Sequence, residues 1–274
     1  MKSRILLNLV LFAVVAGLSL FIYLKPKPAS HSEFPLSSQA SNTIRQIKIE
    51  KKGQPAIELQ KRGDAWFLAT PFQGRGNIFK VDQLLDLLKA TSKQRFEATH
   101  LERFELDKPL LTLTFNQQIF YFGTINPLSQ EQYVSTGNAV YLLPTSYFST
   151  ALAQPSDFAS KKILAEDEIP AGFIFDTLHL TRSNGNWVAS PDKPGLSQDR
   201  LNAFADHWRE ASALLSQPYD QSKPLEEFSL RLTTGKIIPI KILQRQPELI
   251  LLRADENLQY HFPQETAASL LNPQ

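Results

Sequence analysis

The feature that most constrains this chain is that it repeats itself at a spacing of about 120 residues. Trp66 and Trp187 stand 121 positions apart, each in a short strand-like run that closes at a proline, Pro71 and Pro191. Val81, Leu84, Leu85 and Leu88 recur at helical spacing, and Leu201, Phe204, Ala205 and Trp208 form a second such stripe that begins 120 residues later. Pro144 and Pro263, 119 apart, each precede a final short helix. Three unlike features that agree within two residues predict two copies of one unit. Any strand order that satisfies one half must therefore satisfy the other.

Within the first copy, period-two alternation predicts strands over Ile44–Ile49, Ala56–Leu59 and Ala65–Leu68 before the helical stripe. Leu111–Phe115 and Ile119–Phe122 follow, then Gln132–Val134 and Ala139–Leu142 around a turn at Gly137-Asn138, and a short helix over Thr145–Leu152. The second copy repeats the order. Its strands are Leu178–Leu180, Asn186–Val188, Phe228–Leu232, Ile237–Ile240, Leu249–Leu252 and Leu258–Phe262, with a closing helix through Ala267–Leu271. Hairpin-linked short strands with one amphipathic stripe predict an α+β class. Each copy is expected to be an antiparallel sheet with one long amphipathic helix across one face and a wet outer face open to a partner. The two tryptophans are expected in matching core slots, and Pro239 predicts an edge strand or a bulge.

Ile5–Leu24 carries no charge, and about twenty helical residues cover about 30 Å, the thickness of a bilayer's hydrocarbon core. It closes with Phe21, Ile22, Tyr23 and Leu24 rather than the small residues of a cleavage site. An uncleaved transmembrane signal-anchor over residues 1–24 is the expectation, and a cleaved signal the alternative. Residues 25–42, rich in proline and serine, read as a tether, followed by a first repeat over 43–155 and a second over 156–274. Lys2 and Arg4 nearly balance Lys25 and Lys27 across the apolar run. With few residues ahead of it, the soluble bulk falls on one side: a single-pass bacterial inner-membrane protein, inserted through residues 5–24, with its bulk in the periplasm.

The absence of cysteine excludes disulfides, thiolate metal sites and iron–sulfur clusters. With 29 basic and 27 acidic side chains there is no global attraction to nucleic acid, and none is expected as a partner. His31, His100, His179, His207 and His261 show no His-x-x-x-His spacing. Gly74-Arg75-Gly76 lacks the Gly-Lys-Ser/Thr tail of a phosphate loop and reads as a strand end, with Asn77 capping a helix that opens at Ile78. Glu166-Asp167-Glu168, beside Lys161-Lys162, reads as solvated linker charge, and Asp82 and Asp86 as helix-surface charges. No catalytic, cofactor-binding or metal residue is assigned, no cofactor is expected, and the chain reads as a non-enzyme. Paired acids for glycoside hydrolysis need no proximity in sequence, which leaves an envelope hydrolase as a third reading.

Phe104-Glu105-Leu106-Asp107-Lys108-Pro109, the strand Leu111–Phe115, Phe122-Gly123-Thr124, Tyr133-Val134 and Val140-Tyr141-Leu142 form one set of motifs, and Asp157-Phe158-Ala159-Ser160-Lys161-Lys162-Ile163-Leu164 links the copies. In these the chain resembles the bacterial DUF4340 family, a domain of unknown function, from about Thr43 to Leu271. Copy two departs from the pattern in lacking a counterpart of Gly123. The resemblance implies an N-terminal anchor, duplicated β-rich units and proximity to ATP-binding-cassette transport machinery; it attaches no catalytic residues. The resulting expectation is a non-catalytic, membrane-anchored periplasmic scaffold or accessory subunit of an envelope assembly, with ABC-type transport or export components as partners. A periplasmic receptor for a glycan or lipid, with its cleft between the repeats, is the alternative.

Overall fold

A computed structural model of the chain describes residues 11–12, 14–21 and 33–273. In chain order the first half forms β1 (Phe34–Pro35), β2 (Gln46–Lys51), β3 (Ile57–Arg62), β4 (Ala65–Thr70), β5 (Gly74–Arg75) and helix α1 (Ile78–Leu85). It continues with β6 (Thr91–Ser92), β7 (Arg95–Glu97), β8 (Leu111–Phe115), β9 (Gln118–Ile125), β10 (Gln132–Thr136), β11 (Ala139–Leu143) and α2 (Ser146–Ala151). The second half forms β12 (Pro170–Ile174), β13 (His179–Ser183), β14 (Asn186–Ser190), α3 (Gln198–Glu210), β15 (Leu215–Pro218) and β16 (Glu226–Leu232). It ends with β17 (Ile237–Gln244), β18 (Leu249–Arg253), β19 (Leu258–Phe262) and α4 (Gln264–Leu271).

The strands form a nine-stranded sheet in the order β5-β4-β3-β2-β8-β9-β10-β11-β7, an eight-stranded sheet in the order β14-β13-β12-β16-β17-β18-β19-β15, and the small pair β1-β6. With β5 set aside, the two large sheets follow the same path strand for strand. Trp66 and Trp187 are both buried, one in each core, on strands that end at a cis peptide bond to Pro71 and Pro191.

Three expectations are corrected. The fold is predominantly β, in three sheets, rather than an α+β pairing of sheets with long amphipathic helices. Helix α1 spans eight residues and then tightens into a 3-10 turn over Asp86–Lys89. Leu87 and Leu88 in that turn are as buried as the helical residues before it, so apolar spacing does not mark where α geometry ends. The transmembrane helix is the second correction: among the described residues no helix is long and apolar enough to cross a membrane. Residues 1–10, 13 and 22–24 of the expected anchor lie outside the described residues. Pro239 is the third. It lies inside β17, an interior strand, opposite Ser229, and its carbonyl accepts from Ala254 just beyond the end of β18, so its missing N–H costs no ladder bond.

Residues 33–42, expected within the tether, lie against the first sheet. β1 pairs with β6, Leu36 is buried in the first core, and the Gln118 amide donates to the Leu36 carbonyl at 3.3 Å. The outer face of the first sheet is partly covered as well. Phe96, Phe104 and Tyr133 cluster there, the last two at 4.6 Å between ring centroids. The Phe104–Leu106 backbone comes so close to β9 that any side chain at Gly123 would overlap the Phe104 carbonyl.

In the second core, Phe173 meets Phe204 of α3 edge-on at 4.7 Å, and the Trp208 indole N–H donates to the Leu270 carbonyl at 3.0 Å, tying α3 to α4. The first sheet protects β4 with the short strand β5. The second has no such strand beside β14. There the Gln198 amide takes its place, accepting from the Trp187 N–H at 2.8 Å and donating to the Trp187 carbonyl at 2.6 Å. A side chain thus imitates a neighbouring strand on an otherwise open edge. Gln198→Ala is expected to cost about 1–3 kcal/mol in urea unfolding and to raise self-association in sedimentation, because it frees one N–H and one C=O on that edge.

Candidate functional site

The two large sheets are joined by one extended segment. After α2 the chain makes a 3-10 turn at Pro155–Asp157, then buries Phe158 and Ala159 in the first core and Ile163 and Leu164 in the second. Ala159 bridges to Gly76 beside β5, and Lys162 bridges to Ser212 ahead of β15. Gly76 is required there, since a Cβ would meet the Trp66 carbonyl oxygen at 2.7 Å. Phe72, in the turn between β4 and β5, packs against both cores.

Charged side chains complete this junction. Arg75 on β5 reaches across to the second half. Its Nε donates to Glu256 Oε1 at 2.7 Å, and its Nη2 to the Lys162 and Ile163 carbonyls at 2.7 and 3.1 Å and to the Tyr260 hydroxyl at 3.1 Å. Arg253, at the end of β18, is 1% exposed. It grips Glu168 through two bonds of 2.5 and 2.6 Å and donates to Asp255 at 3.0 Å and to the Ile163 carbonyl at 2.7 Å. Lys236 closes the cluster on Glu168 at 3.3 Å and Asp255 at 3.0 Å, while the Tyr260 hydroxyl donates to Glu256 at 2.7 Å. Arg75, Lys236 and Arg253 balance Glu168, Asp255 and Glu256, so the cluster is formally neutral.

Burial alone would raise the carboxyl pKa of Glu168. The Arg253 guanidinium, the Ala165 N–H and Lys236 outweigh it and bring the value down to about 2. Asp255 is lowered in the same way, with Arg253 and Lys236 overcoming burial. Burial chiefly, with the nearby Glu256 adding to it and Arg75 opposing, pushes the Tyr260 phenol up, so it stays protonated. Arg75 and Arg253 rise above the ordinary guanidinium value in spite of burial, because of the acids and the phenol they face. Each carboxylate is fixed by donors and each cation by acceptors. Chemically the cluster acts as a lock between the two sheets.

The sequence reading missed most of this. Glu166 and Asp167 are exposed, but Glu168 is 13% exposed and pairs with Arg253 and Lys236 rather than with Lys161 or Lys162. Arg75 is the main link across the junction, not simply a strand end. Asn77 makes no side-chain cap at α1; its amide donates to the Asp157 carbonyl at 3.0 Å and its N–H to the Phe158 carbonyl at 2.8 Å, holding the connector. Arg253 did leave one signal. It continues the inward alternation of Leu249 and Leu251, and a charge at a core-facing strand position needs a partner. Asp82 and Asp86 are exposed, and Asp86 pairs with Lys89 at 3.0 Å. His100 and His179 are exposed, and His31 lies outside the described residues. His261 is half-buried, with Nδ1 2.8 Å from Glu248 and Nε2 facing the Gln217 and Gln259 amides at 3.3 and 3.2 Å. Among the described residues no group of three or more His, Cys, Asp or Glu is placed to hold a metal.

A cavity of about 290 Å³ beside the connector is lined by Lys162, Leu164, Glu166, Glu168, Arg209 and Glu210, with no aromatic side chain. A cleft of about 360 Å³ opens at one end of the second sheet, floored by Phe175, Leu178, Phe228 and Leu271.

Arg253→Met is expected to destabilise the protein by about 3–5 kcal/mol, because it strands Glu168 and Asp255 without their cation. Glu168 also sets an acid limb. It binds its proton more weakly folded than unfolded, so its contribution is complete above about pH 5 and is lost as pH falls toward 2, amounting to about 3 kcal/mol. Glu168→Gln should flatten that part of a stability–pH profile measured by urea unfolding.

No curated protein and no solved structure matches the chain. The model of a family described as a domain of unknown function (DUF4340) matches residues 66–217, more than half of the chain, from the strand of Trp66 through the connector to β15. That stretch contains Arg75 and Glu168, one member of the lock on each side of the junction, and on its extent the chain belongs to the DUF4340 family.

Proposed function

We propose that the protein is a non-catalytic scaffold or accessory subunit of a bacterial envelope assembly, its folded part lying in the periplasm. One observation carries this reading: the charge cluster at the connector is spent on mutual pairing, with Arg75 of the first half fastened to Glu256, Tyr260 and the connector carbonyls of the second. A buried, mutually satisfied network fixes the relative position of two surfaces, which a scaffold needs and an active site does not. The partner class follows from the family resemblance: membrane components of an ABC-type transport or export system. A protein of this kind presents surfaces at fixed spacing and works by holding its partners in register.

The test is capture of the tagged full-length chain at native abundance after gentle detergent extraction. We expect defined membrane proteins, with ATP-binding-cassette subunits among them by mass spectrometry, to co-elute in stable ratio. A chain that migrates alone under these conditions contradicts the reading.

A further inference from the structure

The outer faces of the two sheets carry different chemistry at corresponding positions. In the first, Phe96 on β7 lies opposite Val140 on β11, and Leu142 follows on the same face of that strand. In the second, Gln217 on β15 lies opposite Gln259 on β19, and His261 follows in the same way. Val140 precedes Pro144 by the interval at which Gln259 precedes Pro263, so Phe96 corresponds to Gln217, Val140 to Gln259 and Leu142 to His261. Three apolar side chains on one face are thus matched by three polar ones that bond to each other. Burying amides and an imidazole costs free energy unless each polar atom finds a partner.

The His261 side chain is 12% exposed, and its ring is held on both sides. Nδ1 lies 2.8 Å from Glu248 Oε1, a contact that requires an N–H, so Nδ1 carries a proton. Nε2 faces the Gln217 and Gln259 amide nitrogens at 3.3 and 3.2 Å and, with two donors aimed at it, serves as an acceptor. These contacts describe a neutral ring. Gln259 is 1% exposed, and its Oε1 finds no donor among the described residues. Its amide also bears on Asp220, whose carboxyl lies below its ordinary pKa chiefly through the Ser222 N–H, with the Gln259 amide adding to this. The neighbouring strands bring no further charge to the ring. β15 carries no charged residue, and the one on β18, Arg253, faces the core. Arg245, in the turn that carries Glu248, pairs with Glu226 at 2.8 Å.

We propose that Gln217, Gln259, His261 and Glu248 form a proton-operated latch on the second sheet, closed while His261 is neutral and released when its Nε2 takes up a proton from water. A proton on Nε2 turns two accepted hydrogen bonds into two donor–donor contacts. Gln217, half-buried on the edge strand, swings into solvent. Gln259 has no such exit, and the acceptor it holds ready is the unpartnered Oε1. A half-turn of its amide brings Oε1 to the new N–H and withdraws the amide nitrogen from Asp220. Glu248 holds Nδ1 in either state. Protonation on β19 is thereby passed to Asp220, in the segment that leaves β15, where the carboxylate shapes a turn by accepting from the Ser222 N–H at 3.0 Å. The released state binds one proton more than the closed one, so it gains as pH falls through about 8 to 5, the range in which an imidazole changes charge. The inference is independent of the scaffold reading: it gives the second sheet a margin whose order follows pH, whatever the protein binds.

The test is hydrogen exchange of the full-length protein, followed by mass spectrometry at about pH 7.5 and about pH 5.5, with each rate corrected for the intrinsic rate at that pH. This window stays above the acid limb set by Glu168. We expect protection of residues 217–222 to fall about tenfold at the lower pH, as the loss of one or two hydrogen bonds would give, while β16 and β17 keep theirs. His261→Leu and Gln259→Val, each the first sheet's residue at that position, should remove the pH dependence, and either serves if the other folds poorly. Ring nitrogen resonances at about pH 7.5 should show Nδ1 protonated and Nε2 bare. Equal protection at both pH values in the wild type, or a pH dependence that survives in a folded variant, overturns the proposal. So does a neutral ring that carries its proton on Nε2.

Discussion

The two-pronged grip of Arg253 on Glu168 is the contact on which the rest of the structure depends. A guanidinium that is 1% exposed has given up nearly all its water, a loss that only close and complete pairing offsets. Completing that pairing organises the surroundings. Glu168 must lie just past the connector, Asp255 and Glu256 must follow β18 in a tight turn, and the Ile163 carbonyl must point inward. Arg75 extends the network into the first sheet through Glu256 and Tyr260, so electrostatics that begin inside the second unit end as the fastening between the two. Such networks add less to stability than apolar packing of equal volume, but they admit few alternative geometries. The relative position of the sheets is therefore the property most directly specified.

The two sheets share a strand path yet have diverged where each meets its surroundings. At the outer edge, the first uses a two-residue strand and the second a single glutamine amide. At one end, Lys51 donates to the Leu152 and Ala153 carbonyls in the first sheet, whereas Phe175 extends an aromatic cluster in the second. On the outer face, the first unit packs Phe96, Phe104 and Tyr133 together, and the second places Gln217 on β15 beside Gln259 and His261 on β19. The shared parts are backbone pairing and inward alternation, which any copy must keep in order to fold. The divergent parts are the margins, where packing leaves each copy free to change.

Much of the strand framework was legible because period-two alternation of apolar and polar residues marks strands such as Leu111–Phe115 and Leu258–Phe262. The spacing of Trp66 and Trp187 marked corresponding positions for the same reason, since a large core side chain tolerates little displacement. Helix length was not legible. Leu84, Leu85 and Leu88 satisfy a helical stripe whether or not α geometry persists beyond Leu85. The candidate site was the least legible part: Arg75, Glu168 and the Arg253–Glu256 turn are distant from one another in sequence, and a charge reads as solvated until its partner is known. Only Arg253, at an inward-facing strand position, carried a hint in its own neighbourhood.

The central claim is that charge pairing across the connector makes the two sheets one cooperative body. A double-mutant cycle between Arg75, on the first sheet, and Glu256, beyond the second sheet's β18, tests it directly by equilibrium urea unfolding of the wild type, Arg75→Ala, Glu256→Ala and the double variant. The account predicts a single transition in every protein and a coupling energy of about 1–3 kcal/mol between the two positions. Additive effects within about 0.5 kcal/mol, or separate transitions for the two sheets in the wild type, would contradict it.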